Sequence, residues 1–478
     1  MKEGTVYLVG AGPGDAGLIT VKGEECLRKA DVVLYDRLVN PLLLEKTREN
    51  AERIYCGKLP DRHHLRQEAI QQIMIEKAKK GLQVVRLKGG DPGIFGRSGE
   101  EANALVEAGI SYEVVPGITS GIAAPLYAGV PVTHRDYSGS FAAVTGHSKS
   151  ENGQPSPNWK ALAKGIDTIA FYMGVKNLST IAEKLIYFGK AENTPVLIIE
   201  WGTTGRQRVV EGNLSTISKT AEKEQIQNPA ITLVGEVAAL RKDLSWFEHK
   251  ALHGRYVWVV KTSPQPGRIG DVLRDNGAEV LEAPRFIEES TNLQLPEKIN
   301  HYDSLTFLSD ESVPLFFEAL KKQRIDIRNL PKKMYARSKR TKKKLEKYGV
   351  FPITKTKQTV EDKCSLLIGK KEDLPDKTNN KDQWISHSLK ISTQTRKTTG
   401  RLISDNLINT IVLPCAKAVD TLLIELDALG VPAVEWLKNK TIICYGPQTK
   451  EAAQSAGLNV YSTLSKPERE ELLKSISL

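Results

Sequence analysis

Residues 6–15 read VYLVGAGPGD, an apolar strand running straight into three glycines and a proline. A short apolar run broken by glycine and followed by helical periodicity is how a parallel α/β unit begins. The pattern recurs. TVYLVG, DVVLYD, QVVRLKG and SYEVVPG are strand candidates. Between them lie VKGEECLRKA and RQEAIQQIMIEKAKKG, whose apolar residues recur every three to four positions and which end near a glycine. From Thr5 to about Val234 this predicts α/β structure with a largely parallel sheet. The polar stretch THRDYSGS (133–140) interrupts it, and a second set follows: FAAVTGH, TIAFYMG, PVLIIEW and PAITLVGE. A boundary near residue 138 is expected.

The first loop does not suit a nicotinamide dinucleotide. That fingerprint needs a third glycine for close helix packing, and Asp15 occupies the position. Pro13 also removes an amide where a pyrophosphate needs donors. A glycine turn without a ligand stays open from this loop alone. Two more loops bear on it. VVRLKGGDPGIFGRSGEE (84–101) and VVPGITSGIAAP (114–125) also follow strands and are rich in glycine and hydroxyls. Neither carries the lysine of a Walker loop. Three such loops at the carboxyl ends of one parallel sheet predict a small nucleoside-like ligand held by backbone groups, without a triphosphate.

Totals limit the rest. The chain has 478 residues, 40% hydrophobic and 26% charged, which suits a soluble protein of about three domains. No apolar run approaches a membrane span and none resembles a signal peptide at the start, so a cytoplasmic setting is expected. Cys26, Cys56, Cys364, Cys415 and Cys444 are scattered, with no CxxC pair. They predict reduced thiols rather than disulfides or a zinc site. The net charge of +11 is uneven: residues 1–250 carry 31 basic and 29 acidic side chains, leaving +9 for the remainder.

VYLVGAGPGDAGLITVKG, DVVLYDRLV, RLKGGDPGIFGRSGEE and VPGITSGIAAPLYAGVPVTHR resemble the successive signatures of the uroporphyrinogen-III C-methyltransferases, in the tetrapyrrole methylase family. The resemblance covers roughly residues 4–248. It implies two α/β lobes with the site in their cleft (residues 1–138 and 139–250), S-adenosylmethionine as methyl donor, and a homodimer. It implies methylation of uroporphyrinogen III at C2 and C7 to give precorrin-2, on the way to sirohaem or cobalamin. Precorrin-4-type and diphthine-type substrates are alternatives within the family. Gly93 and Ser98 depart from the usual phenylalanine and glycine, which predicts altered packing around the donor rather than lost chemistry.

By the family's pattern Pro13, Gly89, Gly90, Asp91, Ile94, Thr119, Ser120, Met173 and Gly202 line the donor site. Asp91 suits ribose hydroxyls or an amine as an acceptor. Met173 has a second reading as core filler at the end of an apolar strand. Asp36 and Lys58 occupy the proton-acceptor and proton-donor positions. The plainer alternatives are that Asp36 caps a turn and that Lys58 is solvated. A polycarboxylate substrate needs basic side chains, and Arg37, Arg97 and Arg135 are the candidates beside the motifs, with surface arginine as the alternative for each. His134 and His147 do not make a metal spacing and are read as structural or substrate-facing. His63 and His64 are read as solvated.

Residues 251–478 have a different texture, with HKALHGR (249–255) as linker. SLTFLSDESVPLFFEAL (304–320) aligns with NTIVLPCAKAVDTLLIEL (409–426), and KKMYARSKRTKKKLEKYGV (332–350) with KTIICYGPQTKEAAQSAGLNV (440–460). Two similar α/β lobes are the simplest account. The polar, weakly periodic stretch 370–400 is expected to be a loop or partly disordered. GRYVWVVKTSPQPGRIGDVLRDNGAEVLEAPRFIEE and IICYGPQTKEAAQSAGLNVY resemble uroporphyrinogen-III synthase, which implies two lobes on a pair of linkers. That enzyme would make the substrate of the first half. SDES (309–312) and PCAK (414–417) stand where that family carries Ser/Thr-rich turns. A non-catalytic docking module is the alternative for this half. SKRTKKKLEK (338–347) reads as a solvated helix face, or as a basic patch for an acidic tetrapyrrole. No aromatic interleaving supports nucleic acid.

Overall fold

The computed structural model describes residues 4–57, 67–147, 156–265, 267–290, 294–354, 364–375, 381–465 and 468–477. Lys58, His63 and His64 lie outside them. The chain divides into two compact units. One comprises Met1–Thr262, Pro266–Ala283 and Thr393–Leu478; the other comprises Ser263–Gln265 and Pro284–Ser392.

In the first unit, β1 (Val6–Gly10), β2 (Val32–Tyr35), β3 (Glu52–Tyr55), β4 (Val84–Lys88) and β5 (Tyr112–Val115) form a sheet in the order β3-β2-β4-β1-β5. Every pairing is parallel. Both faces of the inner strands are covered: β1 and β2 are apolar almost throughout, and β4 adds buried Arg86 and Lys88. Val9, Val33, Val85 and Leu87 enter one core, and Leu8, Leu34 and Val84 the other. Helices α1 (Val21–Lys29), α2 (Gln67–Lys79) and α3 (Ser98–Glu107) make crossovers between its strands, and α4 (Ser120–Tyr127) follows β5. Thr20 caps α1 by accepting from the Gly23 amide.

The second sheet, order β6-β7-β10-β8-β9, corrects the expectation of largely parallel pairing. It uses β6 (Phe141–Thr145), β7 (Thr168–Tyr172), β8 (Pro195–Glu200), β9 (Arg208–Asn213) and β10 (Ala230–Val234). Only β6 with β7 is parallel; the other three pairings are antiparallel. Strands β3 and β9 were not among the sequence candidates. Both are edge strands with mixed polarity, ERIY and RVVEGN, and half-exposed edges carry a weak apolar signal.

The C-terminal region supplies two more parallel sheets. One lies in the first unit: Glu279–Ala283, Tyr256–Val260, Thr410–Leu413, Thr441–Tyr445 and Ser462–Leu464. The other lies in the second unit: Ile353–Thr354, Lys333–Ala336, Ser304–Phe307, Ser365–Gly369 and Lys381–Ile385. The aligned segments do correspond. Ser304–Phe307 and Thr410–Leu413 each lead into a helix, Ser312–Lys322 and Ala416–Ala428, and Lys333–Ala336 and Thr441–Tyr445 each do likewise. The basic segment forms the helix Lys339–Glu346, with Thr341 and Leu345 buried on one stripe and exposed lysines around it.

The stretch 370–400 is not a loop. It contains strands Lys381–Ile385 and His387–Ile391, the latter pairing antiparallel with Phe286–Ser290, and then the helix Thr393–Ser404. That helix buries Thr395, Thr398, Thr399 and Leu402. A buried face made of hydroxyls does not register as an apolar stripe, so periodicity misses it.

Candidate active site

The three glycine loops meet. Gly12 and Gly90 form a two-bond antiparallel bridge, with N···O distances of 3.2 and 2.7 Å. A Cβ on Gly10 would stand 2.6 Å from the Gly117 backbone and 2.7 Å from the Gly90 carbonyl. Gly90 itself has φ +69°, and a Cβ there would sit in ordinary contact with Ser120 N and Thr119 Cα at 3.9 Å. Glycine is required at both positions, first for close approach and then for backbone conformation. Asp91 ties the loops together: its Oδ1 accepts from Gly93 N at 2.7 Å and its Oδ2 from Gly117 N at 2.9 Å.

Three amides of the first loop are committed within the protein. Ala11 donates to Lys88 O, Gly12 to Gly90 O, and Asp15 to Thr203 Oγ1 at 3.0 Å. With Pro13 carrying no N–H, this turn is not a pyrophosphate nest.

The second lobe reaches in at the end of β7. Tyr172 OH meets Thr119 Oγ1 at 2.7 Å and accepts from Gly121 N at 2.8 Å, and its ring packs edge-on to Phe95 at 5.0 Å. Met173 follows with φ +56° and is exposed, as are Ile94, Ile118 and Ile122. Phe95, Arg97, Trp201 and Thr203 share the left-handed conformation. Such strain persists where surrounding structure over-determines it, often at functional sites. Gly202 does a packing job, since a Cβ there would stand 2.4 Å from Ala124 Cβ of α4.

Asp36 follows β2. Its Oδ1 lies 2.6 Å from Nη2 of Arg86, whose Nε lies 3.1 Å from Glu101 Oε1. Lys88 Nζ pairs with Glu101 Oε2 at 2.8 Å. Arg86, Lys88 and Glu101 are 3, 5 and 0% exposed, whereas Asp36 keeps 34%. Burial opposes the charge on Glu101, but Arg86 and Lys88 outweigh it and hold its carboxyl below the usual range. Burial lowers Lys88, helped by neighbouring Arg86. The Asp36 side chain therefore serves this network rather than a turn cap. Sequence reading missed Arg86, Lys88 and Glu101. The signal was present: two charges at alternate positions of a fully buried strand must be paired.

Arg37, Arg97 and Arg135 are exposed, and Arg97 pairs with Glu100 at 2.5 Å. His134 Nδ1 accepts from Asp136 N at 3.2 Å, a structural role. Among the described residues no group of three or more His, Cys, Asp or Glu is placed to hold a metal ion. All five cysteines are free, with Cys26, Cys56 and Cys444 buried.

Comparisons fit this geometry. The family profile for Tetrapyrrole (Corrin/Porphyrin) Methylases matches residues 5–218, and that for Uroporphyrinogen-III synthase HemD matches residues 268–373. A Bacillus subtilis protein named uroporphyrinogen-III C-methyltransferase is 44% identical over 480 residues, covering 100% of this chain and 97% of its own. The chain belongs to the uroporphyrinogen-III C-methyltransferase family. A Priestia megaterium enzyme of the same name is 58% identical over 49% of this chain and 98% of its own. A Thermus thermophilus uroporphyrin-III C-methyltransferase structure complexed with S-adenosyl homocysteine is 38% identical, with TM-score 0.42, over 49% of this chain and 93% of that one.

As a member of the family the chain is an S-adenosylmethionine-dependent methyltransferase of tetrapyrrole biosynthesis, and it carries a synthase domain. The methyltransferase's residues fit that donor. A Cβ on Gly90 would stand 3.9 Å from Ser120 N and Thr119 Cα, and Ile94, Ile118, Ile122 and Met173 are exposed apolar side chains on or beside these loops and the end of β7, as the apolar parts of the donor would need.

Proposed function

We propose that the methyltransferase half methylates uroporphyrinogen III at C2 and C7 to give precorrin-2, with Asp36 as proton acceptor and Lys58 as proton donor. The observation that carries this reading is the contact between two loops. The position of a Gly89 Cβ is 3.4 Å from Leu38 Cβ, so the Asp36–Leu38 loop lies against the Gly89–Asp91 loop.

When bound, S-adenosylmethionine supplies an electrophilic methyl group on a sulfonium. Gly89, Gly90, Asp91, Ile94, Thr119, Ser120 and Met173 would hold it, with Pro13 and Gly202 fixing the neighbouring turns. The residues' main contribution is orientation and exclusion of water. Asp36, aimed by Arg86, takes up the proton released as the ring carbon is alkylated. Arg37, Arg97 and Arg135 receive the substrate's carboxylates. The test is turnover followed by precorrin-2 absorbance. Asp36→Ala and Lys58→Ala are expected to slow turnover far more than they weaken donor binding. Unchanged turnover in both removes the proton-transfer roles.

The resemblance further supports a homodimer in the cytoplasm with small-molecule partners only. No helix among the described residues is long and apolar enough to cross a membrane. Sedimentation of the purified chain tests the dimer.

A second reading, ring closure of hydroxymethylbilane by the C-terminal region, is supported by the match of residues 268–373 to the synthase family profile. Incubating the full chain with hydroxymethylbilane separates synthase from docking module.

A further inference from the structure

The 393–404 helix belongs to the C-terminal region in sequence, yet it packs on the 41–46 segment after β2 and meets Arg53 of β3. Thr395 and Thr398 each donate a hydroxyl to Glu45, Thr398 at 2.6 Å to Oε1. Arg53, on β3, reaches Gln394 O at 3.3 Å and Thr398 Oγ1 at 3.4 Å. Leu42 packs against the C-terminal sheet's core. These contacts join the two surfaces.

Arg401, near the end of the same helix, does something different. Its Nη2 donates to the carbonyl of Arg37 at 3.0 Å. Its guanidinium carbon lies 5.2 and 5.8 Å from the ring centroids of Tyr55 and Tyr35, and those rings are 5.5 Å apart. Tyr35 immediately precedes Asp36. Arg37 and Leu38 are exposed and form a short connection, the kind of segment that moves unless it is held. A planar guanidinium that lies within cation–π range of two rings and bonds a backbone carbonyl fixes position and direction together. The same region also holds a loop of the second lobe, where Glu279 Oε1 accepts from Gly205 N at 2.7 Å, three residues after Gly202.

We propose that Arg401 is a positioning residue for methyl transfer: the C-terminal region holds the Asp36–Leu38 loop in its working conformation, so methylation in this chain depends on a residue outside the methylase half. The proposal rests on the reading of Asp36 as proton acceptor. An arginine in this place acts through the loop and need not touch the substrate.

The experiment uses the full-length chain with R401A, R401K and T398V, and R401A again in a D36N background. The measurements are kcat and KM with uroporphyrinogen III, S-adenosylmethionine affinity by calorimetry, and thermal unfolding. R401A is expected to lower kcat about tenfold with donor affinity changed less than about twofold, since a small misplacement costs rate before binding. R401K should recover part of the loss, because an ammonium still reaches the carbonyl and the rings. T398V should lower the unfolding temperature and leave kcat intact. In the D36N background R401A should add little. Unchanged kcat in a folded R401A overturns the proposal, as does an equal loss of kcat in T398V. Full turnover in D36N would sink the proton-acceptor reading separately, and the R401A comparison in the wild-type background would still decide whether Arg401 positions the loop.

Discussion

Arg86 holds Asp36: Nη2 and Oδ1 are 2.6 Å apart, with the arginine buried in the sheet and the carboxylate at its open end. Behind this pair stands Glu101, fully buried between Arg86 and Lys88. Asp36, the proposed proton acceptor, is the member of the network that keeps access to solvent.

Arg86→Lys keeps the charge and loses the fork that spans two carboxylates. The variant is expected to fold and to lose about tenfold in kcat, with S-adenosylmethionine affinity preserved. Glu101→Gln leaves two buried cations short of a counter-charge and should destabilise by about 3–5 kcal/mol. Urea unfolding beside turnover separates the two effects; an Arg86→Lys enzyme with wild-type kcat would mean that Asp36 needs no aiming.

Gly10→Ala must push a methyl into the Gly117 and Gly90 backbones. It should cost about 1–3 kcal/mol and abolish detectable donor binding in calorimetry, because the loops no longer close. Gly99, in α3, has nothing within 4 Å of a built Cβ. Gly99→Ala should be neutral or stabilise by up to about 1 kcal/mol, with normal binding. Equal behaviour of the two would contradict the cradle.

Tyr172→Phe removes a hydroxyl shared by Thr119 Oγ1 and Gly121 N. Donor affinity is expected to weaken about five- to tenfold, equivalent to one lost buried hydrogen bond. Calorimetry of the folded variant provides the check, and an unchanged affinity would show that Tyr172 only packs the lobes.

Burial pushes the Glu279 carboxyl up to about 6, against lowering by the Gly205 amide and Arg206. Its folded pKa exceeds the unfolded value, so the folded state binds the extra proton between about pH 4.5 and 6. The stability this group contributes is present below that window and is lost as pH rises through about 6, up to about 2 kcal/mol in all. Glu279→Gln is neutral throughout. Its unfolding temperature relative to wild type should therefore rise from pH 5 to pH 7.5. A pH-independent gap would place the Glu279 titration elsewhere.

The sequence by itself determined the local units: apolar strands, amphipathic crossovers, glycine loops at strand ends and the repeated strand–helix pairs at 304–346 and 410–455. Each depends on residues within a few turns of one another, through period, glycine conformation and burial on both faces. Only the tertiary structure decided the antiparallel order of the second sheet, because pairing direction is set by partners far along the chain. The same holds for the 393–404 helix, where buried Thr395 and Thr398 bond Glu45, and for Arg86, whose charge is tolerable only once Asp36 and Glu101 are folded around it. Local pattern reports what a segment prefers; a buried polar group is settled by the partner that satisfies it.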